Sequence, residues 1–141
     1  MIPTIDIRNR LKASVPAFTT VSGAASIQAA IQRQQFDGQA YVLVLNKKPA
    51  ENKLVNAVSQ MTTATISVMY WSTDVSDSTG EATSDANEDI VDAIALALLN
   101  WSPSETYSNF EYAGGRLVQF TDSAALYAEE FTTQFLVRKT S

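Results

Sequence analysis

Neither cysteine nor histidine occurs among the 141 residues. Without cysteine there is no disulfide framework, no thiolate metal site and no thiol nucleophile, a composition that suits a reducing compartment. Without histidine the commonest general base and the commonest metal ligand are both missing, which excludes Ser-His-Asp hydrolysis, HExxH zinc sites and zinc deaminase chemistry. No apolar run approaches about 18 residues, and the opening Met1-Ile2-Pro3-Thr4-Ile5-Asp6 lacks a basic region followed by an apolar core. The sequence therefore predicts a soluble chain with no secretory signal and no membrane contact. Asn100-Trp101-Ser102 matches a glycosylation sequon, which means nothing without such a signal.

Positive charge is missing from the middle of the chain. From Leu54 to Gly115 there is no Lys or Arg, while Asp74, Asp77, Glu81, Asp85, Glu88, Asp89, Asp92, Glu105 and Glu111 give the stretch a charge of −9. Residues 1–53 carry +4 through Arg8, Arg10, Lys12, Arg33, Lys47, Lys48 and Lys53, and the remainder balances, for a net charge of −5. Such lopsidedness fits a solvated acidic loop and helix face. It equally fits head-to-tail association between copies, because complementary fields favour one register and repel others.

What is present reads as one domain over residues 1–141, long enough to bury roughly 70% of the surface of its unfolded form. Pro3 suits a first helical position, and the spacing of Ile5, Ile7, Leu11 and Val15 predicts a helix over 4–13, halted by Pro16. Its exposed face carries Arg8 and Lys12. Residues 18–21 read as a short strand and 24–34 as a short helix with Ile27 and Ile31 one turn apart. The apolar run Tyr41-Val42-Leu43-Val44-Leu45 within 39–46 predicts a central strand buried on both faces, followed by a polar loop over 47–53. Alternation of Ala64, Ile66, Val68 and Tyr70 with Thr65, Ser67, Met69 and Trp71 predicts a long strand over 58–73 with one face on the core, overhanging its neighbours.

An acidic loop over 74–84 precedes a capping-box-like start at Asp85 and Glu88. The helix that follows places Ile90, Val91, Ile94, Leu98 and Trp101 on one face, and Pro103 forbids its continuation. Residues 110–112 and 117–120 read as a hairpin around Ala113-Gly114-Gly115-Arg116, and 121–123 as a further turn. Residues 126–138 form a second long strand, with Tyr127, Glu129, Phe131, Thr133, Phe135 and Val137 on one side. The expected fold is α+β, a mostly antiparallel sheet of four or five strands ending in a three-strand meander, with two main helices packed on one face.

The chemistry-bearing residues point to no catalysis. Asp85, Glu88, Asp89 and Asp92 stand at helical spacing and could hold a hard cation or act as acid and base, but they also make a well-capped first turn. The loop from Asp74 to Asp85 lacks the alternating acids and central glycine of an EF-hand. No Walker lysine or helix start follows Gly114-Gly115, so it is no phosphate loop. Lys47, Lys48 and Lys53 with Arg8, Arg10 and Lys12 are too few for a duplex binder in a protein of pI near 4.6, and contact with a protein fits them better. Trp71, Trp101 and Tyr107 could stack bases, but as core or interface anchors they need no such role. Neither a cofactor nor a metal is implied.

The order of short motifs resembles the tail terminator proteins of long-tailed bacteriophages. In that family a helix ends in Trp-x-Pro, followed by a polar loop, an aromatic-rich strand, Gly-Gly, another strand and a late strand with an aromatic beside acids. Here these stand as Trp101-Ser102-Pro103, Phe110-Glu111-Tyr112, Gly114-Gly115-Arg116-Leu117 and Tyr127-Ala128-Glu129-Glu130-Phe131. The first half is similar in outline through its short helix, Val21-Ser22-Gly23-Ala24 and the apolar strand, although Gln39-Ala40 precedes that strand where relatives have proline.

The resemblance implies a structural virion protein, not an enzyme. It would form a ring of six copies on the last tail tube subunits, stop tube growth and present the surface on which the head docks. Its partners would be further copies of itself, the tail tube protein and a head-tail connector protein, with genomic DNA passing through the lumen without specific binding. It would be assembled in the host cytoplasm and reside in the tail or neck of the virion. Trp101, Pro103, Gly114, Gly115 and Phe131 are the expected structural anchors. Arg8, Lys12, Lys47 and Lys48, opposed by Asp74, Asp77 and Glu81, are the expected charges between subunits. Another neck or connector ring protein and an enzyme using the carboxylates from Asp85 to Asp92 remain the alternatives. If Trp101 anchors the helix against the sheet, Trp101→Ala costs about 3–5 kcal/mol in urea unfolding, whereas a near-neutral result places the ring on the surface.

Overall fold

The computed structural model describes residues 2–32, 38–72, 81–120 and 124–140. Its elements are α1 (Thr4–Ser14), β1 (Thr20–Gly23), α2 (Ile27–Gln32), β2 (Gln39–Pro49), β3 (Ala57–Ser72), α3 (Glu81–Leu98), β4 (Glu111–Phe120) and β5 (Ala125–Thr140). The strands form one sheet in the order β1-β2-β3-β5-β4. Every neighbouring pair is antiparallel except β1 with β2. A parallel pair needs a crossover connection, and α2 lies in it. The fold is α+β with a mixed, mostly antiparallel five-stranded sheet and three helices among the described residues.

Helix α1 forms because Ile7 and Leu11, one turn apart, both bury completely, with Asp6 in its first turn and Lys12 in its last complementing the helix dipole. Val15 closes it in an extended conformation, and Pro16 cannot extend it. Helix α3 begins at Glu81, four residues before the expected cap at Asp85. Asp85 and Glu88 thus lie inside the helix, since nothing in residues 81–84 opposes helical backbone and acids remain favourable in the first turns.

Strand β2 runs on through Lys47, Lys48 and Pro49, where a loop was expected. A bulge between Val44 and Asn46 shifts the register, and pairs such as Lys47 with Ala64 and Pro49 with Thr62 continue the ladder. Polar residues there face solvent without breaking the strand, and a terminal proline loses no needed N–H. Strand β2 is second from an edge, and the centre of the sheet is β3. β3 pairs with β5 over its entire length, from Ala57 opposite Thr140 to Ser72 opposite Ala125.

The expected hairpin around Gly114-Gly115 does not form. Residues 111–120 are one strand, β4, bulged between Tyr112 and Gly114 and again between Leu117 and Gln119. Gly114 has φ +127°, and the glycine freedom that suggested a turn serves the first bulge instead. The meander accordingly shrinks to the single hairpin of β4 and β5. The turn expected at 121–123 lies outside the described residues.

Two apolar clusters sandwich the sheet. Ile7 and Leu11 of α1 and Ile94, Ala97 and Leu98 of α3 join Ala40, Val42, Ala64, Ile66, Val68, Tyr70 and Phe131 in the first. Ala30 of α2 joins Tyr41, Leu43, Met69, Trp71, Leu126 and Ala128 in the second. β3 is therefore buried on both faces at its C-terminal half, not on one, because Met69 and Trp71 find apolar cover of their own. Leu98 is fully buried while Leu96 is 84% exposed. Leu98→Ala is expected to cost about 2–5 kcal/mol in chemical denaturation, and Leu96→Ala within about 0.5 kcal/mol of zero.

Candidate functional site

The junction between α3 and the sheet is built from residues 97–110. Asn100 adopts φ +58°, a left-handed residue that ends the helix before Pro103 is reached. The Trp101 N–H then donates to the Leu98 carbonyl at 3.2 Å, and the Phe110 N–H donates to the Trp101 carbonyl at 2.9 Å. The Trp101 ring stacks on Phe110 with centroids 6.1 Å apart. From α1, the Arg10 Nε donates to the Ala97 carbonyl, and its guanidinium carbon sits 4.6 Å from the Trp101 ring centroid. A cation at a helix C-terminus satisfies an orphan carbonyl, opposes the negative dipole end and gains the ring quadrupole. Trp101 and Pro103 are half-buried, not buried, so the expected loss for Trp101→Ala moves to the lower end of its range, about 3 kcal/mol.

The loop after Pro103 is stitched to β5. The Ser108 N–H donates to the Gln134 carbonyl at 2.9 Å, the Thr133 hydroxyl donates to the Ser108 carbonyl at 2.6 Å, and the Tyr107 and Phe135 rings meet at 5.4 Å.

Gly115 sits opposite Glu129 in the β4–β5 ladder. A Cβ at Gly115 would overlap the Glu129 carboxylate, so the side chain missing at Gly115 is the space that Glu129 fills. The Tyr112 hydroxyl donates to Glu129 Oε2 at 2.6 Å, and the Tyr112 ring packs edge-on against buried Phe131 at 5.6 Å. Burial lifts the Glu129 carboxyl above its ordinary 4.5, the Tyr112 hydrogen bond pulls it partly back, and Glu88 and Glu130 push it up further. The same hydrogen bond, with burial and the Glu129 charge, pushes Tyr112 up to about 12. With Oε2 bonded to Tyr112 and its carboxylate filling the space over Gly115, Glu129 is a structural pin between strands.

The charges distribute over several elements. Lys12 is exposed on α1, but Arg8 is half-buried and its guanidinium packs beside Gly23. Lys47 and Lys48 stand exposed near the end of β2, as do Lys53 in the following loop and Arg138 and Lys139 at the end of β5. Glu88, Asp89 and Asp92 are exposed along α3. Asp74 and Asp77 lie outside the described residues, as do the side chains of Glu81 and Asp85. No group of three or more acids is placed to hold a metal ion among the described residues. Arg10 and Glu129 are the residues that sequence reading missed. Arg10 bonds a carbonyl 87 positions away, for which no local signal exists, whereas a Gly-Gly opposite a strand acid offers at least a pairing to look for.

The sequence profile of one family, described as phage tail terminator protein, matches residues 2–141. Among solved structures, a chain titled as the virion of a native gene transfer agent particle aligns at a TM-score of 0.46 and 16% identity, over 90% of this chain and 84% of that one. No curated protein sequence matches.

Gly115→Ala should cost about 1–3 kcal/mol through overpacking. Most of that loss should vanish in a Glu129→Ala background, while the loss from Gly114→Ala, set by backbone strain in open space, should not. Because folded Glu129 keeps its proton to higher pH than the unfolded chain, its contribution is fully present below about 4.5 and is lost as pH rises through the elevated folded value. Urea titrations should show this slope in the parent, its absence in Glu129→Gln, and its displacement to higher pH in Tyr112→Phe.

Proposed function

Because the chain belongs to the phage tail terminator family, a family of structural virion proteins and not of enzymes, we propose that it ends tail tube growth. In this reading six copies form a ring on the last tail tube subunits and present the surface to which the head-tail connector docks. The match over residues 2–141 carries the reading. The absence of His and Cys agrees with a part that needs surfaces and no reactive groups.

The stretch without Lys or Arg from Leu54 to Gly115 supplies surface that does not grip phosphates, which suits a lumen through which DNA must slide. Arg8, Lys12, Lys47 and Lys48, facing Asp74, Asp77 and Glu81 of a neighbour, are proposed contacts between copies. Assembly takes place in the host cytoplasm, and the finished position is the tail or neck. No helix among the described residues is long and apolar enough to cross a membrane.

The direct test is a phage with the gene deleted, viewed by electron microscopy. Overlong tails of variable length without heads are expected. Tails of normal length that merely fail to join heads would assign the protein to the connector instead.

A further inference from the structure

The sheet is longer than the helices that cover it. β3 and β5 pair over 16 residues, roughly 50 Å of ladder, whereas the 18 residues of α3 span about 27 Å. On the face that carries α1 and α3, Ala64, Ile66, Val68 and Tyr70 are buried, but Val58 and Val137, toward the other end, are exposed. There a groove of about 420 Å³ is lined by Lys47, Pro49, Gln60, Thr62, Phe135 and Val137. The β2 bulge is what brings Lys47 and Pro49 onto this face, opposite Ala64 and Thr62, and Lys139 stands opposite Val58 at its far edge. The groove thus has a mixed floor, with Pro49, Phe135 and Val137 beside Gln60 and Thr62, Tyr107 packed on Phe135 at its near end, and Lys47 and Lys139 on its two sides. Its own α3 cannot slide over it, being held at its C-terminal end by Arg10 and by the bridge of Leu99 to Phe110.

We propose that α3 of a second copy of this chain seats in that groove. The outward stripe of α3 has the complementary character. Asp89, Asp92, Leu96 and Leu99 follow one another at helical spacing, all are exposed, and Asp92, Ala95, Leu96 and Leu99 line a shallow hollow of about 440 Å³. Leu96 at 84% exposed supplies the apolar knob, the aspartates meet the groove lysines, and no basic residue on α3 opposes them. The neighbour's helix would continue the helical layer over the uncovered end of the sheet. Since groove and helix are different surfaces of one chain, the contact is head-to-tail and repeats from copy to copy until a ring closes. This rests on the ring reading above and names the surfaces that build it.

The chain has no cysteine, so a designed pair reports on the contact cleanly. Val137→Cys combined with Leu96→Cys in the full chain, assembled and oxidised, should give a ladder of covalent multimers on a non-reducing gel. An equal mixture of the two single variants should stop at dimers, and either variant alone should not cross-link. Lys47→Glu with Lys139→Glu, or Asp89→Lys with Asp92→Lys, should each raise the concentration needed for assembly about tenfold or more, and the chain bearing all four changes should recover. An assembling protein that forms no ladder, or whose fourfold variant fails to recover, overturns the groove while leaving the ring intact. A parent that stays monomeric at every concentration and on tail tube ends overturns both.

Discussion

The 16-residue pairing of β3 with β5 is the constraint on which the rest of the structure depends. It sets a sheet length that no helix among the described residues matches. The covered half becomes the core, with residues of α1 and α3 in one apolar cluster and Ala30 of α2 in the other. The uncovered half keeps its apolar residues and gathers Lys47, Lys48, Lys53, Arg138 and Lys139 around them. Between the long strands of the β2–β3 hairpin, Asn52 organises the tip, its amide donating to the Ala57 carbonyl at 3.0 Å and its oxygen accepting from the Ser59 N–H at 3.0 Å. The tip is therefore a defined surface that presents Leu54 and Val55 to solvent.

Where the helical layer stops is decided at two polar contacts. Arg10 clamps the end of α3 to α1 and to Trp101, and Ser108 ties the departing loop to β5. Both hold α3 at one place along the sheet, which leaves its acidic and apolar outer stripe facing away. On the opposite edge the Glu129 pin fixes β4, an edge strand whose two bulges and paired glycines make it a poor template for adding another strand. The helix stripe and the far sheet end are left facing away from the core.

The long-range periodic features were legible in the sequence. Alternation from Ala64 to Trp71 and from Tyr127 to Val137 located both long strands, and Ile7 with Leu11 located α1, because a period needs only neighbours to show itself. The Gly114-Gly115 pair was misread, since positive φ serves a bulge as well as a turn and the carboxylate that needs Gly115 bare comes from another strand. The start of α3 was misplaced for a related reason: acids are favourable throughout the first turns and do not mark one residue. Arg10 lies off the face that carries Arg8 and Lys12, and only the three-dimensional fold brings it to the Ala97 carbonyl. The charge asymmetry was visible from composition, but its division between the far end of the sheet and α3 required the β2 bulge and the strand register.

The most direct measurement is a cryo-electron microscopy map of the protein assembled on a tail tube end. The expected map shows a closed ring in which the far half of each sheet, from Val58 to Thr62 and from Phe135 to Lys139, lies beneath the α3 of the adjacent copy. A ring whose far sheet ends face solvent, or tube ends carrying isolated copies of the protein, would contradict it.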